Sequence, residues 1–322
     1  MSSQKPHIEI ILPIYNEVKN LVPLIAQLDQ VKKRLAPQAS LSLLFINDGS
    51  TDGSTELLHR LYRDRNDVRV VNLVHNFGHG AALTCGLNYF SGDAAILMDA
   101  DQQDDPLAII QLFEAWKKGN KTVVAARGER KERGKALFQL FYFVLHKLSP
   151  TLPPVKFGTF SILDRSVVRR FLQLRERNRY FPGLIAFASD KITSVVVDRK
   201  ERGHGKSRVG MFGLVHLAIT AFISFSNAPV RLVSILGLAA AGLAMIAGFT
   251  IIAIKIFTPL AIPGWASIMT ATAFWSGLQL LCLGIIGEYI ARMYDEVKRR
   301  PMYLVDQHLS HKTSEEKTQE VA

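Results

Sequence analysis

Two runs of sequence toward the C-terminus carry no charged residue: Leu232 to Ile254 and Pro263 to Gly287. A helix needs about 20 mostly apolar residues to cross the hydrocarbon core of a bilayer, and both runs reach that length. Uncharged stretches of this length are rare in soluble cores, so the pattern predicts two transmembrane helices. The connection between them is short and its nearby cation is Lys255. Basic residues crowd the outer flanks. Arg199, Lys200, Arg202, Lys206, Arg208 and Arg231 precede the first run, and Arg292, Lys298, Arg299 and Arg300 follow the second. Excess Lys and Arg marks the cytoplasmic side, so both termini are expected in the cytoplasm and the hairpin tip outside. Residues 209–228 read as an amphipathic helix lying on the membrane surface. No charged-then-apolar leader is expected at the N-terminus, because the apolar run from Ile8 to Ile14 is too short for one.

The remainder reads as a soluble domain over residues 1–208, followed by the juxtamembrane helix, a hairpin over 229–290 and a basic tail over 291–322. From residue 8 to about 126, short β-rich apolar runs alternate with helix-like segments. The runs are 8–14, 41–46, 68–74, 94–98 and 122–126, and the helical segments are about 17–35, 54–64, 79–90 and 106–118. Such alternation predicts βαβ units, an α/β domain and a mostly parallel, Rossmann-like sheet. Continuous apolar runs fit strands buried on both faces. In sheets of this kind ligands bind at the carboxyl ends of the strands. A further strand is expected at 192–198 and a helix at 135–148. The net charge of +11 suits an anionic partner, without choosing among nucleic acid, a phosphorylated ligand and an acidic membrane. Cys85 and Cys282 are the two cysteines, with neither metal-ligand spacing nor a disulfide framework.

Polar clusters fall at the expected strand ends. The strongest is Asp99-Ala100-Asp101-Gln102-Gln103, directly after the apolar run 94–98. Two carboxylates two residues apart can converge on one hard cation that keeps sites free for a diphosphate. A solvated acidic turn is the competing explanation, and the position after a buried strand weighs against it. The first run closes on Pro13-Ile14-Tyr15-Asn16-Glu17 and the second on Asn47 to Ser54. For Asp52 a turn or helix cap is a sufficient account. The third run closes on His75-Asn76-Phe77-Gly78-His79-Gly80, whose histidines read as polar loop residues.

In order, PIYNE, INDGSTDGS, HNFGHGAALTCGL and LMDADQQDDP resemble the motifs of inverting GT-A glycosyltransferases of family 2. GHGKSRVG, FSNAPVRLVSILG and GEYIARMYDEVKRRPMYLV are similar to the polyprenyl-phosphate members. Those include dolichol-phosphate mannose synthases, GtrB-type glucosyltransferases and ArnC-type aminoarabinose transferases. The resemblance runs from about residue 8 to 305. It implies an inverting, metal-dependent enzyme of the bacterial inner membrane. Such an enzyme moves a sugar from a nucleotide-sugar, with UDP-glucose the first expectation, to undecaprenyl phosphate. It implies Mg²⁺ or Mn²⁺ as cofactor, membrane lipids and a homo-oligomer as partners, and no nucleic acid. Pro13, Tyr15, Asn16, Glu17, Asp48, Asn76 and Gly80 would bind the nucleotide-sugar. Asp99 and Asp101, with Gln103, would hold the metal and diphosphate. Arg127, Lys135, Ser207 and Arg208 would face the acceptor phosphate.

One segment departs from the family pattern. Where many members carry D-x-G-[D/S]-F-R-L, this chain has Lys156-Phe157-Gly158-Thr159-Phe160-Ser161-Ile162, so Lys156 and Thr159 replace acids. Lys156 is therefore a candidate for charge compensation in catalysis, and the same change is the best support for a catalytically altered or inactive membrane scaffold. A processive polysaccharide synthase would carry Q-x-x-R-W, which is absent from the sequence. A dinucleotide-binding oxidoreductase would need G-x-G-x-x-G at the first strand-to-helix turn, where this chain reads PIYNEVKN.

Overall fold

A computed structural model describes residues 5–127, 157–174, 176, 179, 181–197, scattered helical positions from 233 to 257, and 264–311. The chain divides into two compact units. One comprises Met1–His146, Pro150–Gly210 and Pro301–Ala322, and the other comprises Lys147–Ser149 and Met211–Arg300.

The first unit is built on one sheet of eight strands. These are β1 (His7–Ile14), β2 (Ser40–Asn47), β3 (Val68–Leu73), β4 (Ala94–Leu97), β5 (Thr122–Arg127), β6 (Phe157–Asp164), β7 (Thr193–Val197) and β8 (Val305–Leu309). Their order is β7-β5-β6-β4-β1-β2-β3-β8. The central strands are mostly apolar because they are covered on both faces, with the buried Glu9 of β1 paired to Arg69 of β3 at 3.1 Å. Ile8, Ile10, Ile11, Leu12 and Ile14 of β1 are all fully buried. Flanking helices are α1 (Val18–Leu35), α2 (Ser54–Asp64), α3 (His79–Tyr89), α4 (Ala108–Lys117), α5 (Arg165–Gln173) and α6 (Phe181–Ala188). In α1, Leu21, Leu24, Ile25, Leu28, Val31 and Leu35 are buried, the three-and-four spacing of one helix face. The cap of α5 is local: Asp164 accepts from the Ser166 backbone N–H at 2.9 Å and from its hydroxyl at 2.6 Å.

The sheet is mixed rather than mostly parallel. β1 pairs in parallel with β2 and β4, β2 with β3, and β5 with β7. β6 runs antiparallel to both β4 and β5, and β8 antiparallel to β3. The two reversals at β6 cancel, so β1 to β5 and β7 all point their carboxyl ends to one sheet edge. Pro13 ends the β1–β4 ladder: after the Met98 N–H bonds the Ile11 carbonyl, the next donor on that side would be the N–H that Pro13 lacks. On the other side the next strand bond is made by the Asp48 N–H to the Ile14 carbonyl at 2.8 Å.

Away from that edge, Arg65 forks onto Asp29 at 2.9 and 2.5 Å and also holds Asp67, which Lys32 reaches at 2.6 Å. Burial alone would raise the Asp67 carboxyl. The bonds from Arg65 and Lys32 outweigh it and hold the group down to about 2. A carboxylate depressed in the folded state contributes stability above its unfolded value of about 4, lost as pH falls through the folded value. Asp67→Asn is therefore expected to melt below the wild type at pH 7, with the gap narrowing as pH drops from about 4 toward about 2. Thermal melts across that window check it; a constant gap would refute the ion-pair account.

In the second unit, α7 (Trp265–Lys298) extends past Gly287, where the uncharged run ends, through Glu288, Arg292 and Glu296. Within it Phe274–Lys298 is the one helix among the described residues long and apolar enough to cross a membrane. Ile268, Phe274, Leu280, Leu283 and Val297 are exposed on it. The expected first span, 232–254, is described only at separate helical positions, so two transmembrane helices are not established. The expected surface helix at 209–228 and helix at 135–148 lie outside the described residues. The basic tail supplies the last turns of α7 and then β8, a strand of the first unit's sheet.

Candidate active site

The loops that leave β1, β2 and β3 are bonded into one cluster at the carboxyl edge. After β1 the chain turns at Asn16, whose φ of 58° is left-handed. Its backbone N–H donates to the Ser50 hydroxyl at 3.1 Å, and its side-chain oxygen accepts from the Thr51 N–H at 2.7 Å. Glu17 N–H reaches the Ser54 hydroxyl at 3.2 Å, and Val18 N–H reaches Asp52 at 3.0 Å. Asp52 also accepts from the Ser54 N–H and hydroxyl, the turn role its sequence context predicted, while the cap of α2 is Gly53. Burial opposes the ionised form of Asp52, yet the bonds from Ser54 and Val18 hold its carboxyl below the usual range.

Asp48 is buried beneath this cluster. Its two oxygens accept from the backbone N–H groups of Phe77 and Gly78, at 2.7 and 2.9 Å. It therefore shapes the loop after β3. Gly49, at φ +67°, lets that loop lie against the second: a Cβ there would be 2.6 Å from the His75 carbonyl carbon. Asn47 closes the floor, bonding Thr55 and Asn72 at 2.9 Å each.

Beside these loops stands the chain after β4. Met98 N–H still bonds the Ile11 carbonyl at 3.2 Å, so Asp99 is the first residue released from the sheet. Asp101 accepts from the Gln103 N–H at 3.1 Å, closing a turn that Gln102 permits with φ 61°. Gln102 reaches back to the Asn20 carbonyl at 3.1 Å and joins this turn to the start of α1. The carboxylate of Asp99 faces His79 Nε2 at 3.4 Å. His79 opens α3, so this contact brings the acidic turn against the β3–α3 loop. A cavity of about 310 Å³ adjoins it, lined by Phe77 to Ala81, Arg179, Pro301 and Met302.

The sequence-predicted residues thus fall in two groups. Pro13, Tyr15, Asn16, Glu17, Asp48, Asn76, Gly80, Asp99, Asp101 and Gln103 all lie at the carboxyl edge, on the strand ends or the loops that follow them. Arg127 ends β5 at the same edge, where its backbone pairs with Val197; its side chain is not described. Lys135, Lys156, Ser207 and Arg208 lie outside the described residues. Thr159 is described: it lies in β6, two residues before Ser161, which pairs with Leu97 at the end of β4. His79, read from sequence as a polar loop residue, partners Asp99. Its signal was its place at the first position of a helix behind a glycine. Arg179 carried no local signal; Pro301 and Met302 lay in a family-like segment, but their place at the cavity comes through chain folding alone.

Among the described residues no three His, Cys, Asp or Glu side chains gather into a ready-made metal cage. The donor set nonetheless fits a hard divalent ion. Mg²⁺ is commonly held by one or two carboxylates and completes its shell with water and phosphate oxygens. Asp99 and Asp101, with the Gln103 amide, supply that kind of oxygen at the mouth of the cluster.

Residues 9–172 match glycosyl transferase family 2. The uncharacterized glycosyltransferase YkcC of Bacillus subtilis is 35% identical over 303 residues, covering 92% of each chain. The SfII prophage-derived bactoprenol glucosyl transferase of Shigella flexneri is 31% identical, covering 92% of this chain and 97% of its own. Among solved structures, a glucosyl-3-phosphoglycerate synthase from Mycobacterium tuberculosis aligns with a TM-score of 0.44 at 21% identity, over 67% of this chain and 76% of that one. A mixed sheet whose β1, β2 and β4 ends carry Glu17, Asp48, Asp99 and Asp101 at one edge, together with relatives that match over 92% of the chain, makes this chain a glycosyltransferase of family 2.

Proposed function

We propose that the protein is an inverting glycosyltransferase that moves a sugar, glucose in the first instance, from a UDP-sugar to a polyprenyl phosphate at a membrane surface. The observation that carries this reading is the Asp99–Asp101 turn, released from a buried strand beside the bonded loops of β1, β2 and β3. Tyr15, Asn16, Glu17, Asp48, Asn76 and Gly80 form the nucleotide-sugar side. Asp99 and Asp101, with Gln103, would hold Mg²⁺ or Mn²⁺, which would supply charge neutralisation for the leaving diphosphate.

An oxygen of the acceptor phosphate attacks the anomeric carbon from the face opposite the UDP. The new carbon–oxygen bond forms as the bond to the diphosphate breaks, and UDP leaves with the electron pair. A phosphate monoester has its second pKa near ~6, so the acceptor is largely a dianion at neutral pH and needs no strong base. What the reaction needs is compensation between two anions. Arg127, at the edge shared with Asp99, is assigned to that task, with Lys135, Ser207 and Arg208 on the acceptor phosphate. Arg suits phosphate because its guanidinium donates in a fork. Lys156 would offset charge where many relatives carry an acid.

Chain connectivity supports the membrane part of this reading. The chain leaves the first unit at Gly210 and re-enters it at Pro301, where β8 joins the sheet beside β3. A segment that departs from and returns to one folded body crosses a bilayer an even number of times. If α7 is one crossing, the uncharged run 232–254 is the natural second. The catalytic unit and both termini then share the cytoplasmic face of a bacterial inner membrane, and the exposed apolar side chains of α7 meet lipid or a second copy of the chain.

The test is a donor screen with the full-length protein, undecaprenyl phosphate, Mg²⁺ or Mn²⁺ and a panel of nucleotide-sugars, read by lipid-product mass. A hexosyl phosphate lipid formed from UDP-glucose is the expected product. Hydrolysis of donors without any lipid product would refute the acceptor assignment.

A further inference from the structure

We propose that the segment Pro301–Leu309, which follows α7, is a clamp that holds the β3–α3 loop in its donor-binding form, with Tyr303 as its anchor. This rests on the reading that the loop cluster binds a nucleoside diphosphate, and it adds a positioning residue that lies far from that cluster in sequence.

The segment grips both ends of the loop. At its start, the Val74 N–H donates to the Leu304 carbonyl at 3.0 Å, one residue before His75. At its far side, the half-buried Tyr303 lies against α3 with its phenol beside Cys85 and Asn88, and burial pushes both the Tyr303 phenol and the Cys85 thiol upward. β8 then pairs with β3 from Leu73 back to Val70. Further along, His308 meets the Tyr89 ring edge-on at 4.8 Å, and His311 stacks on Tyr62 at 4.0 Å. Between the two grips, Pro301 and Met302 form one side of the cavity whose other side is Phe77 to Ala81. That loop carries the N–H groups bonded to Asp48 and the His79 that faces Asp99.

A glycine-containing loop has several conformations of similar energy, and a binding site loses affinity in proportion to the time spent in the wrong ones. Asp48 fixes the loop from beneath, through Phe77 and Gly78. The clamp fixes it from outside, through Val74 and α3. Only Arg299 and Arg300 separate the clamp from the last residue of α7, so the donor site is covalently continuous with a helix read as membrane-spanning. Because β8 keeps its backbone pairing when the Tyr303 side chain is shortened, the anchor can be removed without removing the strand.

The experiment measures the affinity of full-length protein for UDP with Mn²⁺ by calorimetry, well below each variant's melting temperature. Tyr303→Ala is expected to weaken UDP binding on the order of tenfold. Tyr303→Phe, which keeps the ring and loses one hydroxyl, is expected to weaken it about threefold with little change in melting. His311→Ala removes the stack on Tyr62 two residues beyond that segment and is expected to leave UDP affinity unchanged even where melting falls. Wild-type affinity in Tyr303→Ala would overturn the clamp. Equal losses in Tyr303→Ala and His311→Ala would also overturn it, because general loosening would then account for both. Should Tyr303→Ala fail to fold, unchanged affinity in Tyr303→Phe overturns it. A wild-type protein that binds no UDP would instead sink the donor-site reading, and the clamp with it.

Discussion

Asp101→Ala is expected to cut sugar transfer on the order of a thousandfold while leaving the fold intact, the scale seen when a single group that stabilises transition-state charge is removed. Asp101 is half-buried in a turn beyond the end of β4 and accepts from the Gln103 N–H within the same turn. Its neighbours Met98 and Ala100 belong to the buried core, whereas Asp101 does not. The stability cost should therefore stay within about 1 kcal/mol. Asp101→Asn separates the two roles of the residue. Its amide oxygen still accepts from Gln103, so the turn survives, but the charge that holds a divalent ion is gone. Transfer should fall as far in Asp101→Asn as in Asp101→Ala, with melting closer to wild type. Either variant retaining full transfer would remove the basis for a metal at this turn.

Much of this site was legible in the sequence because its parts are local. A buried strand followed by acids announces itself, and so β1 to β5 and the helices α1 to α4 were read within a residue or two of their observed ends. Asp99, Asp101 and the PIYNE residues came with those strands. What was not legible depends on chain reversal. β6 carries Gly158, Thr159 and Ser161 in a short stretch and sits between β4 and β5 only because both neighbours accept an antiparallel partner. β8 is an edge strand whose middle residues, Asp306, Gln307 and His308, are exposed, so no apolar run marks it. The consequence is functional: without β8 there is no reason to connect Tyr303 or Met302 with a loop more than two hundred residues earlier. His79 was visible but ambiguous, since only the register of the acidic turn against α3 gives it Asp99 as a partner. The end of α7 was not legible for a different reason. Charge ends an apolar run, whereas backbone hydrogen bonding ends a helix, and α7 continues until Arg299 adopts a left-handed cap.

Gly49→Ala should be among the most damaging single methyl additions in the catalytic unit. Two costs add there. The backbone has φ +67°, where a side chain costs about 1–2 kcal/mol. The new Cβ would also stand 2.6 Å from His75 C, 2.7 Å from Asn76 N and 2.8 Å from His75 Cα, all backbone atoms that no rotamer change can move aside. Relief requires the loop after β3 to separate from the loop after β2. That motion stretches the bonds from Phe77 and Gly78 to Asp48, and a buried carboxylate losing its donors is costly in itself. The combined destabilisation is expected at about 3 kcal/mol or more, in the range of severe point mutations. Gly53→Ala is the control. Its φ of +89° imposes the same backbone strain, but the nearest neighbour of its Cβ is the flexible Glu56 carboxylate at 3.9 Å. It should lose only the backbone term and keep UDP affinity close to wild type. If Gly49→Ala and Gly53→Ala melt together and bind UDP alike, the contact between the two loops does not hold the donor site. If Gly49→Ala alone loses both stability and UDP, the junction of Asp48, Gly49 and the His75–Gly78 backbone is the hinge on which donor recognition turns.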